Sequence, residues 1–386
     1  MQTFIKRNSE KIIKEYLNIF PSVALLGSRQ CGKSTLAKKI GEKIENFIYL
    51  DLESPFDYRK LNDVEIFFEA NQNKIICLDE IQLKPNLFSI IRSIIDKNKK
   101  NGQLLFLASA SGKLLKQSSQ SLAGRIGYIE LTPFLNSEIW QLKNYKLQKN
   151  WLRGGYPNSF LAISDKNSKI WRDNFIKTFC ERDIPQLGIN IPSLKLKRFL
   201  TMLAHNQGQI LNSSKLGSAL GWSHNTIVNY INIFEESFLI RSLPPFEANL
   251  KKRLVKSPKI YIRDSGLLHS LLEINNFNDL MANPIFGYSW EGFALENILS
   301  QARDWKSYFY RTASGNEIDL VLTKGNKTLA IEFKSSKSPI LKKGFWLALD
   351  DIQADEGWII IPSEEEKFKI KKNITISGIK GILKRL

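Results

Sequence analysis

Residues 22–35 read Ser22-Val23-Ala24-Leu25-Leu26-Gly27-Ser28-Arg29-Gln30-Cys31-Gly32-Lys33-Ser34-Thr35. A short apolar run, a loop bounded by glycines and a helix-like segment from Lys33 to about Ile44 give the strand, loop and helix setting of the pattern G-x-x-x-x-G-K-[ST]. Backbone N–H groups in such a turn wrap phosphate oxygens when no side chain blocks the approach, which is the use of Gly27 and Gly32. Lys33 then reaches β- and γ-phosphates as a point charge, and the Ser34 hydroxyl completes the shell of a Mg2+ ion. The expected ligand is ATP with Mg2+, held by residues 27–35.

Downstream, Phe47 to Asp51 reads as a second strand and Lys74 to Glu80 as a third, ending in two adjacent acids. In a parallel sheet these lie beside the phosphate crevice, so Asp79 is expected to hold Mg2+ through water and Glu80 to polarise the attacking water. A helix from Asn86 to Lys99 leads to the strand Gln103 to Ala108. Ser109 at its end is a candidate for touching the γ-phosphate or the water; capping of the helix beginning near Gly112 is the competing use of these serines.

The sequence has 386 residues, room for two or three domains. With 56 Lys and Arg against 38 Asp and Glu, the formal charge is +18, which favours a polyanionic partner, nucleic acid before an anionic membrane. A composition rich in Ile, Asn and Lys supplies part of that excess. Cys31, Cys77 and Cys180 are too few and scattered for a disulfide framework or zinc site, so the chain reads as reduced and cytoplasmic. Residues 1–20 pattern as an amphipathic helix, not a signal sequence, and no window reaches the length of a membrane span.

The segments GSRQCGKST, ICLDEIQ, SLAGRI, RGGYP (Arg153 to Pro157) and KIYIRDSGLL (Lys259 to Leu268) together resemble the AAA-like ATPases whose C-terminal half is called DUF4143. The resemblance spans nearly the whole chain. It implies a P-loop core in residues 1–135, ATP hydrolysis, and an arginine finger at Arg125 acting in trans, hence a homo-oligomer such as a hexamer. Leu107-Ala108-Ser109-Ala110-Ser111 departs from the family's threonine-glycine-serine pattern.

Residues 136–190 alternate aromatic and basic residues and are expected to form a helical lid or linker, with Arg153 at the surface before a tight turn at Gly154-Gly155. Residues 191–280 give three helices, the second and third separated by Gly221-Trp222-Ser223, a helix-turn-helix signature. Ser223, His224, Asn225, Thr226 and Asn229 are the candidates for DNA contact, and Leu250 to Arg263, which carries Lys251, Lys252, Arg253, Lys256, Lys259 and Arg263 with no acid among them, reads as a basic wing. Scaffold use of the same geometry is the alternative. His205, His224 and His269 are too far apart to suggest a metal cluster.

Residues 281–386 hold a second constellation: Glu291 on a helix, then Asp319, Glu332 and Lys334 on strands paired about the turn Lys324 to Lys327. Side chains alternate along a strand, so Glu332 and Lys334 share a face. Glu296 lies about 140° round the helix from Glu291, so at most one faces that site. The order is similar to the PD-(D/E)xK nuclease core, as in archaeal Holliday-junction resolvases. That resemblance implies a second Mg2+ or Mn2+ on Glu291, Asp319 and Glu332, with Lys334 beside it.

The fold class expected is therefore α/β: a P-loop sheet domain, a winged-helix module and a restriction-endonuclease-like domain. The function expected is an ATPase motor acting on duplex or branched DNA in repair or processing, without a membrane partner. The alternative is a nucleotide-switched regulator or defence-type ATPase with an inert nuclease-like platform.

Overall fold

A computed structural model describes residues 4–109, 121–186, 191–247, 255–364, 367–371 and 373–386. It divides into two compact units, residues 1–134 with 236–238, and residues 135–235 with 239–386.

The first unit is built on strands β1 (Ser22–Leu26), β2 (Phe47–Asp51), β3 (Ile75–Asp79), β4 (Leu104–Ala108) and β5 (Ile126–Glu130). They form one sheet of order β2-β3-β4-β1-β5, and every pairing in it is parallel. The reason is visible in β1 and β4, apolar runs buried along their whole length, as a sheet covered on both faces requires. Alternation sorts the side chains. Ala24, Leu26, Leu78 and Phe106 pack with Leu87, Ile91 and Ile95 of the helix Leu87–Asn98. Val23, Leu25, Cys77 and Leu105 pack with Ile13 and Leu17 of the helix Ser9–Ile19, and with Leu36 and Ile40 of the helix Lys33–Gly41. Truncating such a fully buried Leu or Ile to Ala costs about 2–5 kcal/mol. The N-terminal amphipathic helix expected from the sequence is thus one cover of this sheet.

The second unit holds two sheets. Helices Ser193–His205, Ser213–Leu220 and His224–Glu236 accompany a three-stranded antiparallel sheet of order β6-β8-β7, with β6 Gln209–Ile210, β7 Ile240–Leu243 and β8 Lys259–Ile262. Gly221, left-handed at φ 68°, ends the second helix, and the Ser223 hydroxyl caps the start of the third by accepting from Thr226 N at 3.1 Å. Trp222 turns inward against Phe199 and Tyr230.

The other sheet has β9 Lys306–Arg311, β10 Glu317–Lys324, β11 Lys327–Phe333, β12 Glu356–Ile360, β13 Lys367–Lys371 and β14 Ile374–Ser377, in the order β13-β14-β12-β11-β10-β9. β9, β10 and β11 form an antiparallel meander and β12 runs parallel to β11. The helix Phe286–Leu299 precedes the meander, and Lys343–Asp351 makes the crossover from β11 to β12. The hairpin forms about the expected turn, with Lys324 opposite Lys327 and Leu320 opposite Ile331.

The segment 136–186 supplies core to this unit. Trp151 packs against Trp290 and Phe286 at centroid distances of 5.1 and 5.0 Å, and Tyr156 and Phe175 join the cluster around Phe199. Its indole N–H donates to Ser289 Oγ (2.8 Å), which reaches His269 Nε2 (2.7 Å), while His269 Nδ1 lies 2.9 Å from the Leu152 carbonyl. A carbonyl only accepts, so Nδ1 carries the proton and Nε2 accepts from the serine. Burial holds this imidazole down at about 3, which keeps it neutral.

Arg153, read from the sequence as a surface residue, is buried; it pairs with Asp165 at 2.6 Å and donates to the Phe160 and Ala162 carbonyls. The turn after it explains the reversal. Gly154 is left-handed at φ 73°, and a Cβ there would collide with the buried carboxylate of Asp264. Among the described residues no helix is long and apolar enough to cross a membrane. The three thiols are buried and free.

Candidate nucleotide site and carboxylate pocket

The loop between β1 and the helix Lys33–Gly41 passes through left-handed conformations at Gln30 (φ 59°) and Gly32 (φ 104°). A Cβ on Gly27 would collide with the Leu131 carbonyl oxygen, so the first glycine is required by close backbone approach as well as by phosphate clearance. Lys33 opens the helix with its ammonium buried and donating to two neutral acceptors of the loop, Gly27 O and Ser28 O, both at 2.9 Å. Ser28 Oγ is buried without a partner among the described residues. Arg29 pairs with Glu53 at 2.7 Å, Thr35 is exposed, and the Cys31 thiol faces the core.

Arg7 went unrecognised in the sequence as part of this site. Buried, it donates to Cys31 O at 3.0 Å and Thr132 O at 2.6 Å, tying the loop to the chain after β5.

Asp79 ends β3 and is buried, with one carboxylate oxygen accepting from Glu80 N and the other from the Tyr49 hydroxyl. That phenol also interacts with Ser34, and burial together with Asp79 pushes its ionisation far up, so it stays a donor. Glu80 adopts a left-handed conformation at φ 53°, uncommon for a residue with a side chain. Its Oε2 accepts from Ser109 Oγ at 3.0 Å and from Gln82, whose own Oε1 is buried without a partner. Asp79 thus ends β3, and Gly27 and Ser109 follow the ends of β1 and β4, neighbours in a parallel sheet of order β3-β4-β1.

These groups fit a magnesium nucleotide. Among the described residues the lysine is held by neutral carbonyls, buried polar atoms stand unpaired, and an acid and a hydroxyl share one tyrosine. Arg125 lies elsewhere, immediately before β5 and therefore at the opposite end of the sheet, paired with Asp96 at 2.6 Å.

In the second unit the structure brings together the residues expected of the C-terminal constellation. A pocket of about 650 Å³ is lined by Glu291, Asp319, Glu332 and Lys334, with Glu317 and Lys259. Lys334 Nζ donates to Glu332 Oε1 at 2.6 Å, and Asp319 Oδ2 accepts from Phe333 N at 3.0 Å. Glu296 faces elsewhere, bound by Arg241 and Arg263, as the helix geometry requires.

Lys259 went unrecognised as a pocket residue, because the sequence reading placed it in a basic wing. Its side chain is only 2% exposed, and its Nζ lies 2.7 Å from Glu317 Oε1 and 3.3 Å from both Glu291 Oε1 and Asp319 Oδ1. Tyr261, two residues on and therefore on the same face of β8, donates to Glu291 Oε1 at 2.6 Å. The surrounding acids hold the Lys259 ammonium well above its ordinary range despite burial. Burial and the neighbouring Asp319 raise Glu291 and Glu332, which sheds part of the excess negative charge as bound protons.

A second metal does not fit this arrangement. Among the described residues no group of three or more His, Cys, Asp and Glu side chains is placed to hold a metal ion. The expectation of Mg2+ or Mn2+ on Glu291, Asp319 and Glu332 meets a lysine where the ion would stand.

Of the DNA-contact candidates, Ser223, His224, Asn225 and Asn229 are exposed and Thr226 is half-buried. Ser223 and Thr226 are engaged with one another at the helix cap. Lys256 is exposed, and Lys251, Lys252 and Arg253 lie outside the described residues.

The first unit's strand order and phosphate loop define a P-loop ATPase-type α/β protein. Family models agree in three pieces: an AAA domain over residues 20–140, a domain of unknown function (DUF8612) over 144–278, and a domain of unknown function (DUF4143) over 286–381. The DUF4143 model thus covers the last part of the C-terminal half, and residues 144–278 match DUF8612. The uncharacterized proteins Rv2008c of Mycobacterium tuberculosis and Mb2031c of Mycobacterium bovis are each 36% identical over 359 residues, covering 93% of this chain and 80% of theirs. The chain belongs to their family. Among solved structures, the Walker-type ATPase PABY2304 of Pyrococcus abyssi is 16% identical at a TM-score of 0.45, covering 70% of this chain and 96% of that one.

Proposed function

We propose that the protein is a Mg-ATP-hydrolysing AAA-type ATPase that acts on DNA, in repair or in the processing of branched structures. The observation that carries the hydrolytic part is that the phosphate loop carrying Lys33 leaves the end of β1, while Asp79, Glu80 and Ser109 stand at the ends of β3 and β4 in the same parallel sheet. Lys33 exchanges its two loop carbonyls for phosphate oxygens, a stronger charge-assisted interaction. Ser34 and Asp79 would hold Mg2+, which when bound neutralises developing charge on the phosphates. Glu80, oriented by Ser109 and Gln82, accepts a hydrogen bond from the attacking water. Arg125 completes the site only from a neighbouring subunit and only once released from Asp96.

The DNA part rests on connectivity and charge. Helix, strand, two helices and two strands closing a three-stranded sheet is the winged-helix order, and His224, Asn225 and Asn229 stand exposed at the third helix. The order helix, three-stranded meander, crossover helix and parallel strand supports a restriction-endonuclease-like reading of residues 281–386.

Steady-state ATP hydrolysis with single-stranded, duplex and four-way junction DNA at two salt concentrations tests the proposal. Stimulation by one DNA form that weakens with salt is expected. Turnover indifferent to every DNA would overturn the DNA part and leave a nucleotide switch. One observation favours that second reading, in which the nuclease-like domain is inert: the acids of the pocket are already paired with lysines of the chain itself.

A further inference from the structure

The carboxylate pocket has four acids contributed by three elements: Glu291 from the helix Phe286–Leu299, Glu317 and Asp319 from β10, and Glu332 from β11. Three of them converge on one buried ammonium. That ammonium comes from none of the three elements that supply the acids. It enters from β8, where the Lys259 backbone is paired with Ile210 on one side and Leu243 on the other. Its position is therefore set by a strand pinned on both edges, not by a mobile surface side chain.

An ordinary buried ion pair satisfies the acids it meets, whereas here Glu332 Oε2 is buried with no hydrogen-bond partner among the described residues. The pocket thus holds acceptor capacity beyond what Lys259, Lys334 and Arg311 use. Ammonium-to-carboxylate separations of 2.7–3.3 Å also differ from the 2.0–2.6 Å at which Mg2+ or Ca2+ draws oxygens together.

We propose that this pocket is a latent divalent-cation site locked by Lys259, whose ammonium stands in for the ion among Glu291, Glu317 and Asp319. The wild-type chain takes up no ion there. Removing the lysine's charge opens the site, and Asp319 with the free oxygen of Glu332 joins its coordination. The lock is carried by the strand that follows the wing segment, since Lys256, Ser257 and Pro258 lead directly into β8. The proposal deepens the nuclease-like reading and rests on it only for the use to which a bound ion would be put.

The test is a Mn2+ titration by calorimetry on the full chain without nucleotide, comparing wild type, Asp319→Asn, Lys259→Met and Lys259→Met/Asp319→Asn. Uptake at the nucleotide site is common to all four and cancels. Wild type and Asp319→Asn are expected to match, Lys259→Met to bind one further Mn2+ at least a hundredfold more tightly, and the double variant to lose it. A wild-type chain that already binds Mn2+ in an Asp319-dependent way overturns the proposal, as does a folded Lys259→Met chain that binds no more than wild type. Should Lys259→Met not fold alone, Lys259→Gln refolded with and without Mn2+ gives the second measurement: folding rescued by the ion supports the lock, and failure to fold or to bind in either condition overturns it. Cleavage of junction DNA by the ion-loaded variant is scored separately. Bound ion without cleavage retires the nuclease reading and leaves the lock standing.

Discussion

Lys33 and Lys259 are both buried lysines set at the start of a regular element, yet they are held in opposite ways. Lys33 is capped by two neutral carbonyls of its own loop, whereas Lys259 is surrounded by three carboxylates. A cation resting on dipoles gains when a polyanion arrives. One already neutralised by fixed acids has nothing further to gain, and its acids have lost their attraction for a metal. The first arrangement is a site prepared for a ligand; the second has its counter-ion built in.

The sharpest way to break this contrast is to remove each group's chemistry in turn. Lys33→Ala and Glu80→Gln are each expected to lower kcat for ATP by about 10²–10³-fold, read by steady-state hydrolysis. Glu80→Gln should keep nucleotide binding, measured by a fluorescent analogue, and Lys33→Ala should lose it. A Glu80→Gln chain that hydrolyses normally would remove the catalytic assignment.

The stabilities should diverge in the reverse sense. Lys33→Ala leaves neutral carbonyls behind and is expected to cost about 1 kcal/mol in denaturant unfolding. Lys259→Met strands carboxylates and is expected to cost about 3–5 kcal/mol near pH 8. The penalty should shrink toward pH 5. Glu291 and Glu332 have folded pKa values above their unfolded ones, so they bind more protons in the folded chain, and stability falls as pH rises through that window. A penalty independent of pH would contradict the clustering of acids about Lys259.

His269 supplies a buried group of the opposite sign. Neutral in the fold at a pKa of about 3 and ordinary when unfolded, it makes the chain lose about 2 kcal/mol between pH 8 and pH 5. That part of the slope should vanish in His269→Gln, and an unchanged slope would refute the neutral tautomer. The smallest effect is expected from Tyr49→Phe. Losing the hydroxyl between Asp79 and Ser34 should cost about 1 kcal/mol and raise the Mg2+ needed for half-maximal turnover severalfold.

Much of the first unit was legible because its chemistry is contiguous. Residues 27–35 carry the loop, its glycines and its lysine in one stretch, and Asp79 and Glu80 close an apolar strand. Arg7 was not legible. It acts from twenty-four residues away on the Cys31 carbonyl, and nothing in an amphipathic helix start marks it. Arg153 was misread because an arginine before two glycines looks like a surface turn, while here the turn is buried against Asp264.

The pocket in the second unit was half legible. Alternation on a strand put Glu332 and Lys334 on one face, and the hairpin turn set Asp319 nearly opposite Glu332. Lys259 carried a signal that composition hid. It stands two residues before Tyr261 in the strand Lys-Ile-Tyr-Ile, on the face opposite Ile260 and Ile262, and a lysine in such a strand must be paired wherever both faces are buried.

What the sequence by itself determined was local: where strands end in chemistry, which glycines clear the backbone, and which acids alternate onto one face. Those follow from periods of two and 3.6 residues and from short-range sterics. What only the tertiary structure decided was which charges meet across distant elements: Arg7 under the phosphate loop, Tyr49 on Asp79, Asp96 on Arg125, and Lys259 inside the carboxylate pocket. Partners brought together by packing leave no fixed spacing in the chain, because the distance between them is set by the core and not by the sequence that separates them.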